Sequence, residues 1–343
     1  MSLTLEDIAQ LSGVSRSTVS RVVNGDKNVS AKTRQRVQDV IQQHNYQPNQ
    51  AARRLAAGRT DTLGLVISST PAATISDPYF SQVIQGVFNT CSLKDYSLLL
   101  WLSDLEHEQR ILRHLSNNNL TDGVIVLFTL ADDPIVETLL QGQLPFVIIG
   151  HHPNPAINSV DIDHRQAAYL ATQHLLTHGY RQIATISGPR NQIAGQDRLQ
   201  GFTQALVEAG LFDGNLVAEG DFSESSGYTA MQNLLPQKPQ AVFAANDLMA
   251  AGAYRAIYQA GLKIPEDIAV IGFDDIPLAA QLDPPLTTIR QPLRHLGQLA
   301  VERLLEMVTE RKRSILSDLH IPPRQVILPP ELIMRQSCPA NHL

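Results

Sequence analysis

Apolar residues in the first sixty positions recur with helical spacing in three short segments. In the first, Leu5, Ile8 and Ala9 fall at i, i+3 and i+4, which is typical of one buried helix face. Thr4 precedes this set, and Asp7 follows Thr4 by three residues, the spacing of a capping box. The pattern predicts a first helix that begins after Thr4 and ends at the next glycine.

Two more helices follow the same logic. The second has Ser15 as its predicted N-cap and ends at Asn24 and Gly25, with Val19, Val22 and Val23 turned inward. The third begins after Ser30, and its predicted inward residues are Val37, Val40, Ile41 and His44. Two helices joined by a tight glycine-containing turn form a helix-turn-helix, so the pattern predicts a small all-α head.

From position 61 the pattern changes to short apolar runs rich in β-branched residues, separated by segments of helix length. The predicted strands are 63–67, 97–102, 123–128, 146–149, 182–186, 217–222, 241–245, 268–273 and a last one near 331–335. The clearest helices are predicted at 80–93, 106–117, 164–178, 198–209 and 248–260. Strands alternating with helices over this length predict two Rossmann-like α/β lobes with a cleft between them.

Composition narrows the class of protein. The chain has 343 residues, 43% of them hydrophobic, and its apolar runs are much shorter than the about 18 residues of a membrane span. Its two cysteines lack metal-site spacing. Residues 1–60 hold nine Lys and Arg against four Asp and Glu, whereas the rest holds 18 against 29. A basic head on an acidic body favours contact of the head alone with a polyanion, although a solvated basic face gives the same count.

The common enzyme motifs GxGxxG, GxxxxGK[ST], GxSxG and HExxH are missing from the sequence. His174 and His178 could share a helix face as metal ligands, but the sequence suggests no third ligand. The doublet His151-His152 follows a strand end, where open α/β sheets bind ligands, and is a candidate for a place in the cleft. We therefore expect no enzyme, no metal and no cofactor.

Specific motifs in the head resemble the lactose-repressor (LacI/GalR) family of transcription regulators. They are TLEDIA at 4–9, GVSRSTVSRVVN at 13–24, VS at 29–30 and YQPN at 46–49. The resemblance implies that the second helix enters the major groove, with Arg16, Ser17 and Arg21 over base edges. An arginine fork suits guanine O6 and N7. The phosphate contacts implied in the same way are Thr4, Ser15, Thr18, Asn24, Ser30, Thr33, Tyr46 and Asn49.

The next segment, residues 49–58, has good helix formers but is shorter than an isolated stable helix. It resembles the family's hinge helix. That resemblance implies that two copies fold together in the minor groove and insert Leu55 between base steps. An ordinary linker with one exposed leucine is the alternative.

The body resembles the family's effector-binding core, itself similar to periplasmic sugar-binding proteins. Its motifs include DPYF at 77–80, RLQGF at 198–202, AND at 245–247 and IGFDD at 271–275. The resemblance implies effector contacts by Tyr79, Phe80, Arg198, Phe222, Asn246 and Asp274. Leu127 stands where the lactose repressor itself has a polar residue, and Gly150 stands where many relatives have Asp, so the shape and polarity of one wall stay open. The choice between a phosphorylated sugar, a purine and an unphosphorylated sugar stays open as well.

These observations predict a helix-turn-helix head at 1–48, a hinge helix and linker at 49–60, and an effector-binding and dimerisation core at 61–343. The first lobe is expected at about 61–162 and 291–320, and the second at about 163–290 and 321–338. We expect a cytoplasmic, nucleoid-associated repressor that binds a palindromic double-stranded DNA operator. It should be a homodimer without membrane contact, because the tail after the last strand is too short for a tetramerising helix.

Two other functional classes stay open at this point. One is a DNA-binding protein without an effector, and the other is a metabolite enzyme that the head recruits to DNA. The effector is expected to be a small molecule, and the family resemblance implies a carbohydrate. The sequence does not distinguish an inducer from a corepressor.

Overall fold

The computed structural model describes residues 3–23, 25–26, 28–46, 60–67, 76–102, 111–113, 115, 120–127, 133–314 and 322–338. The chain divides into two compact units, Met1–Thr60 and Asp61–Leu343. The predicted hinge segment with Leu55 lies outside the described residues, as do Asn24 and Asn49.

The first unit contains the three predicted helices, α1 (Leu5–Ser12), α2 (Arg16–Val23) and α3 (Ala31–Gln43). The capping box is present, because the amide of Asp7 donates to the Thr4 hydroxyl and the Asp7 carboxylate accepts from the Thr4 amide. Ser15 and Ser30 accept from the amides of Thr18 and Thr33, both at 3.2 Å. The three predicted N-caps are therefore confirmed, and they satisfy amides that the first helical turn leaves unpaired.

The small core of the head differs from the prediction at one position. His44 was expected to point inward, but it is exposed and caps the C-terminus of α3. Tyr46 packs with the core instead and is only 8% exposed. The helix ends at Gln43, so the helical spacing that placed His44 on the inner face stops before it applies.

The second unit has two sheets. The first-lobe sheet contains β1 (Thr62–Ile67), β2 (Ser97–Leu102), β3 (Gly123–Leu127), β4 (Phe146–Ile149), β5 (Ser159–Ile162) and β11 (Gln325–Leu328), in the order β11-β5-β4-β3-β1-β2. All its pairings are parallel. The described helices of this lobe are α4 (Pro78–Leu93), α5 (Pro134–Gln141) and α10 (Leu293–Ser314). Residues 111–113 and 115 are also helical, and the rest of the helix predicted at 106–117 lies outside the described residues.

The second-lobe sheet contains β6 (Ile183–Ser187), β7 (Val217–Glu219), β8 (Ala241–Ala244), β9 (Ala269–Asp274), β10 (Thr287–Arg290) and β12 (Glu331–Ile333), in the order β12-β10-β9-β8-β6-β7. Only the β10–β12 pairing is antiparallel among the described strands. The helices are α6 (His164–Thr177), α7 (Ile193–Glu208), α8 (Glu224–Leu234) and α9 (Asp247–Gln259). The predicted fold class, a helical head with a core of two α/β lobes, is confirmed.

The lobe assignment needs one correction. Residues 321–338 were expected in the second lobe, but β11 pairs with β5 in the first-lobe sheet. The described strands and helices give three crossings between the lobes: between β5 and α6, between β10 and α10, and between β11 and β12. Pro329 and Pro330 occupy the last crossing, where they end the strand because they lack amide donors.

The strand predicted at 217–222 is also too long, because it ends at Glu219 and Phe222 has a left-handed backbone with φ 70°. No described helix has both the length and the apolar content needed to cross a membrane.

Two helices of the first lobe, α4 and α10, cross at glycine. A Cβ on Gly86 would clash with the carbonyl oxygen of Arg294, and one on Gly297 would lie 2.6 Å from that of Val83. Backbone therefore meets backbone at this crossing, and neither partner can move aside as a flexible side chain would.

We expect Gly86→Ala to lower the free energy of unfolding by about 1–3 kcal/mol, because the added methyl forces the two helices apart. Gly214→Ala is the matched control, since a Cβ there meets nothing within 4 Å. Denaturant unfolding of the full chain, followed by circular dichroism, measures both. Equal stability of Gly86→Ala and wild type would contradict the close helix crossing.

Candidate functional site

The predicted DNA-reading side chains lie exposed on α2. The Arg16 side chain is 69% exposed and pairs with Glu6 at 2.8 Å, and the Arg21 side chain is 64% exposed with Asp26 at 3.9 Å. Such exposed pairs contribute little stability, so exchange of each carboxylate for a DNA group costs little. Both guanidinium groups are therefore accessible to a polyanion.

Several of the predicted phosphate contacts also have a structural role in the head. Ser15 bonds the hydroxyls of Ser17 and Thr18 at 2.8 and 2.9 Å, and Ser30 donates to Thr33 at 2.9 Å. These groups organise the beginnings of α2 and α3, where helix N-termini favour anions. Contact of Thr4, Ser15, Ser17, Thr18, Ser30, Thr33 and Tyr46 with DNA stays a prediction.

A cavity of about 290 Å³ lies between the two lobes of the core. All six residues predicted to contact an effector line it, namely Tyr79, Phe80, Arg198, Phe222, Asn246 and Asp274. Tyr79 and Phe80 come from the start of α4 in the first lobe, and the other four predicted residues come from the second lobe. We call this space the interlobe cavity.

Arg198 on α7 is 4% exposed, and its guanidinium is held on several sides. Nε donates to Nδ1 of His164 at 3.3 Å, and Nη1 donates to the carbonyl oxygen of Ala245. The guanidinium carbon lies 3.8 Å from the centre of the Phe273 ring, an arrangement that stabilises a desolvated cation. Asp274 provides the nearest carboxylate, at 3.7 Å from Nη1.

Asp274 ends β9 in an unusual backbone conformation, with φ 117°. Nε2 of Gln291 donates to its Oδ1 at 2.5 Å. Burial raises the pKa of Asp274 to about 7, although Arg198 opposes the rise, and the charge of Asp77 adds to it. Near neutral pH this carboxyl group can therefore either donate to or accept from a ligand hydroxyl.

Asn246 is already bonded within the second lobe, which limits its predicted role. Its Oδ1 accepts from the amide of Met249 as the N-cap of α9, and its Nδ2 donates to the carbonyl oxygen of Phe222, both at 2.9 Å. One N–H and one lone pair of the amide are left for a ligand. The Phe222 ring lies against Gly188, where an added Cβ would clash with the ring.

The structure adds residues that the sequence did not single out. Asp161, His164, Asp77 and Gln192 also line the interlobe cavity. Asp161 and His164 occupy β5 and the start of α6, where the short SVDI strand gave no recognisable pattern. Oδ2 of Asp161 and Oε1 of Gln192 are buried without a hydrogen-bond partner in the described structure. Both atoms are hydrogen-bond acceptors, so a ligand donor that reaches either of them satisfies a buried polar group.

Of the histidine doublet predicted as a site candidate, His151 lies at the cavity, whereas His152 is not among its described lining residues. His151 lines the cavity beside Gly150, and its Nδ1 lies 3.3 Å from Asp197 on α7, so this contact bridges the lobes. The hydrogen bond to Asp197 raises the pKa of His151, while burial opposes the rise. Leu127, by contrast, is completely buried in the first-lobe core.

The raised pKa of Asp274 predicts that the stability of the folded protein depends on pH. The folded-state pKa of Asp274, about 7, lies above its ordinary value of 3.8, so its stabilising contribution is complete below pH 3.8 and is lost as the pH rises through 7. Asp274→Asn mimics the protonated form. We expect the variant to unfold at a higher temperature than wild type at pH 8, with the difference disappearing towards pH 4.

Calorimetric unfolding across this pH range measures the effect, and Glu137→Gln, at an exposed position of α5, is the control. A temperature difference between Asp274→Asn and wild type that does not change with pH would contradict the raised pKa.

Comparison with known proteins agrees with both units. Residues 4–49 match the family model of bacterial regulatory proteins of the lacI family, and residues 172–338 match a periplasmic binding protein-like domain. The regulator CelR of Thermobifida fusca is 40% identical over 325 residues, covering 91% of this chain and 95% of CelR. The ribose operon repressor of Escherichia coli K12 is 39% identical over 315 residues, covering 90% and 93% of the two chains.

Solved structures give the same result. The complex of CelR with cellobiose matches with a TM-score of 0.76 at 35% identity, over 98% of this chain and 99% of that one. The lac repressor dimer bound to operator and the anti-inducer ONPF matches with a TM-score of 0.85 at 31% identity, over 99% and 100% of the chains. The resemblance seen in the sequence is confirmed: the chain belongs to the lacI family of bacterial regulatory proteins, as a DNA-binding transcriptional regulator and not an enzyme.

Proposed function

We propose that this protein is a cytoplasmic repressor that binds a palindromic operator as a homodimer, with an affinity controlled by a neutral sugar in the interlobe cavity. The observation that carries the proposal is the cavity itself. Its walls come from both lobes, and it combines buried polar groups with the aromatic ring of Phe222. Sugar recognition requires this combination, because hydroxyls need hydrogen-bond partners and a pyranose face suits an aromatic ring.

The charges of the cavity favour a ligand without phosphate. Four carboxyl groups line it, those of Asp77, Asp161, Asp221 and Asp274, against the single guanidinium of Arg198 among its described residues. A phosphorylated ligand would bring further negative charge into this acidic site. The unpartnered acceptors on Asp161 and Gln192 instead require donors. Every sugar hydroxyl can donate, whereas a purine also presents ring-nitrogen acceptors.

The exposed guanidinium groups of α2 support the operator part of the proposal. A helix-turn-helix head covers one half-site, and a two-fold dimer reads an inverted repeat with half-sites about one helical turn apart. The lac repressor structure is a dimer on an operator. In our proposal Leu55 wedges between base steps, as the family resemblance implies.

Arg16→Ala separates base reading from phosphate contact. We expect it to weaken binding to the operator by about 1–3 kcal/mol and to change binding to random DNA much less. Glu6→Gln is the matched control, because it removes the intramolecular partner of Arg16 but leaves the guanidinium in place. It should weaken neither interaction. Equal losses by Arg16→Ala on operator and random DNA, measured by fluorescence anisotropy, would show a phosphate contact.

Calorimetric titration of the full chain tests the effector. We expect saturable binding of a neutral sugar from a panel that includes ribose and cellobiose, and no binding of the corresponding sugar phosphates. Because the coupling between two binding sites is reciprocal, the sugar must change the affinity for operator by the same factor as operator changes the affinity for the sugar. Tight binding of a sugar phosphate would refute the ligand class. If no ligand that binds changes the operator affinity, the result would favour an effector-independent DNA-binding protein.

A further inference from the structure

Five buried side chains form a continuous series of contacts between two lobe crossings. They are Asp161, His164, Arg198, Asp274 and Gln291, and none is more than 5% exposed. Asp161 lies in β5, immediately before the first crossing, and Gln291 lies in the second crossing, between β10 and α10. His164 stands next to the first crossing as the first residue of α6. The series therefore joins the cavity to the segments through which the lobes are connected.

The contacts of His164 define its tautomer. Its Nδ1 lies 3.3 Å from Nε of Arg198, and its Nε2 lies 3.1 Å from Oδ1 of Asp161. An arginine Nε–H can only donate, so Nδ1 must be the unprotonated, accepting nitrogen. The proton is then on Nε2, which donates to Asp161. By accepting from Nε2, the Asp161 carboxylate selects the tautomer whose Nδ1 can accept from Arg198. Carboxylates fix the tautomer of histidines in the same way at other protein sites.

We propose that His164, with its tautomer selected by Asp161, is a positioning residue that orients the Arg198 guanidinium towards the effector. This inference rests on the proposed function, because it assigns Arg198 to the effector. Nη1 of Arg198 donates to Ala245 and lies close to Asp274, and Nε on the other edge of the guanidinium donates to His164. The contact with His164 therefore limits rotation of the guanidinium at its Nε edge. Without it, the guanidinium can turn about its remaining contacts and a ligand must meet the cost of ordering it.

Asp161 links the contact between His164 and Arg198 to the ligand site. Its second oxygen, Oδ2, is buried and unpartnered in the described structure, and the residue lines the cavity. A sugar hydroxyl that donates to Asp161 would share this carboxylate with His164. The residue that selects the tautomer is thus also placed to sense occupancy, and it belongs to the first lobe while Arg198 belongs to the second.

Nitrogen-15 spectra of histidine-labelled protein test the tautomer without any ligand. Among the eleven histidines of the chain, the signal of His164 is the one lost in His164→Asn. We expect an unprotonated Nδ1 and a protonated Nε2 in the wild-type protein at neutral pH. The opposite tautomer or a doubly protonated ring would overturn the inference, because neither can accept from Arg198.

A pair of substitutions tests the positioning role. In His164→Asn the amide oxygen can take the place of Nδ1 and accept from Arg198. In His164→Gln the amide nitrogen can take the place of Nε2 and donate to Asp161, but the acceptor for Arg198 is lost. With the neutral sugar that saturates wild type as the probe, His164→Gln should weaken binding about tenfold and His164→Asn by less than about threefold.

Arg198→Lys removes the Nε–H, so adding His164→Gln to that variant should have no further effect on sugar affinity. Equal losses in the Asn and Gln variants, or a loss from His164→Gln that is as large in the Arg198→Lys background as in wild type, would show that His164 merely supports the fold. If no sugar binds wild type, the proposed function fails, while the nitrogen-15 spectra still decide whether His164 accepts from Arg198.

Discussion

The burial of one cation, the guanidinium of Arg198, organises the effector-binding core. A buried ion costs several kcal/mol unless its environment replaces the lost water. Here the replacements are a ring face from β9, a backbone carbonyl after β8, an imidazole from α6 and a carboxylate at the end of β9. They come from several different elements of the second lobe. The ends of its strands and helices must therefore meet at the cavity with correct spacing, or the charge is left without partners.

The same site stores unfavourable interactions that the rest of the lobe must offset. Asp274 has φ 117° and Phe222 has φ 70°, conformations that non-glycine residues adopt at a cost of about 1–3 kcal/mol. Burial also raises the pKa of Asp77 and of Asp247, which accepts from Thr288 at 2.6 Å. The charge of Asp77 adds to the raised pKa of Asp274, and the charge of Asp274 adds to that of Asp247, so these carboxyl groups repel one another when they are ionised. A ligand that donates hydrogen bonds relieves part of this repulsion, which gives binding a source of free energy beyond the contacts themselves.

Sequence reasoning succeeded where local chemistry decides the structure. Thr4, Ser15 and Ser30 cap helices because their own hydroxyl groups accept from nearby backbone amides. The apolar run 146–149 forms a strand because its side chains are buried in the sheet core. It failed where a partner distant in sequence decides. Strand β11 joins the first lobe only because β5 offers an edge, and β5 itself has too few apolar residues to be recognised. The six residues predicted to contact an effector came from family resemblance. The contacts of Asp161 and His164 with this site depend on residues distant in sequence, so only the folded structure shows them.

The connection between binding and regulation follows from where the cavity contacts lie. A ligand shifts an equilibrium between lobe arrangements only by the difference in its affinity for them. Contacts confined to one lobe would move with that lobe, so the ligand would bind all lobe arrangements with nearly the same affinity. In this core Asp77 and Tyr79 come from the first lobe, and Arg198 and Asp274 come from the second. Two of the three crossings also carry residues of the polar network, His164 beside one and Gln291 within another. A ligand that engages both walls therefore changes the relative stability of lobe arrangements directly, and rotation at the crossings changes the site in return. In the proposed function, this reciprocity lets the core regulate DNA binding without any contact between the effector and DNA.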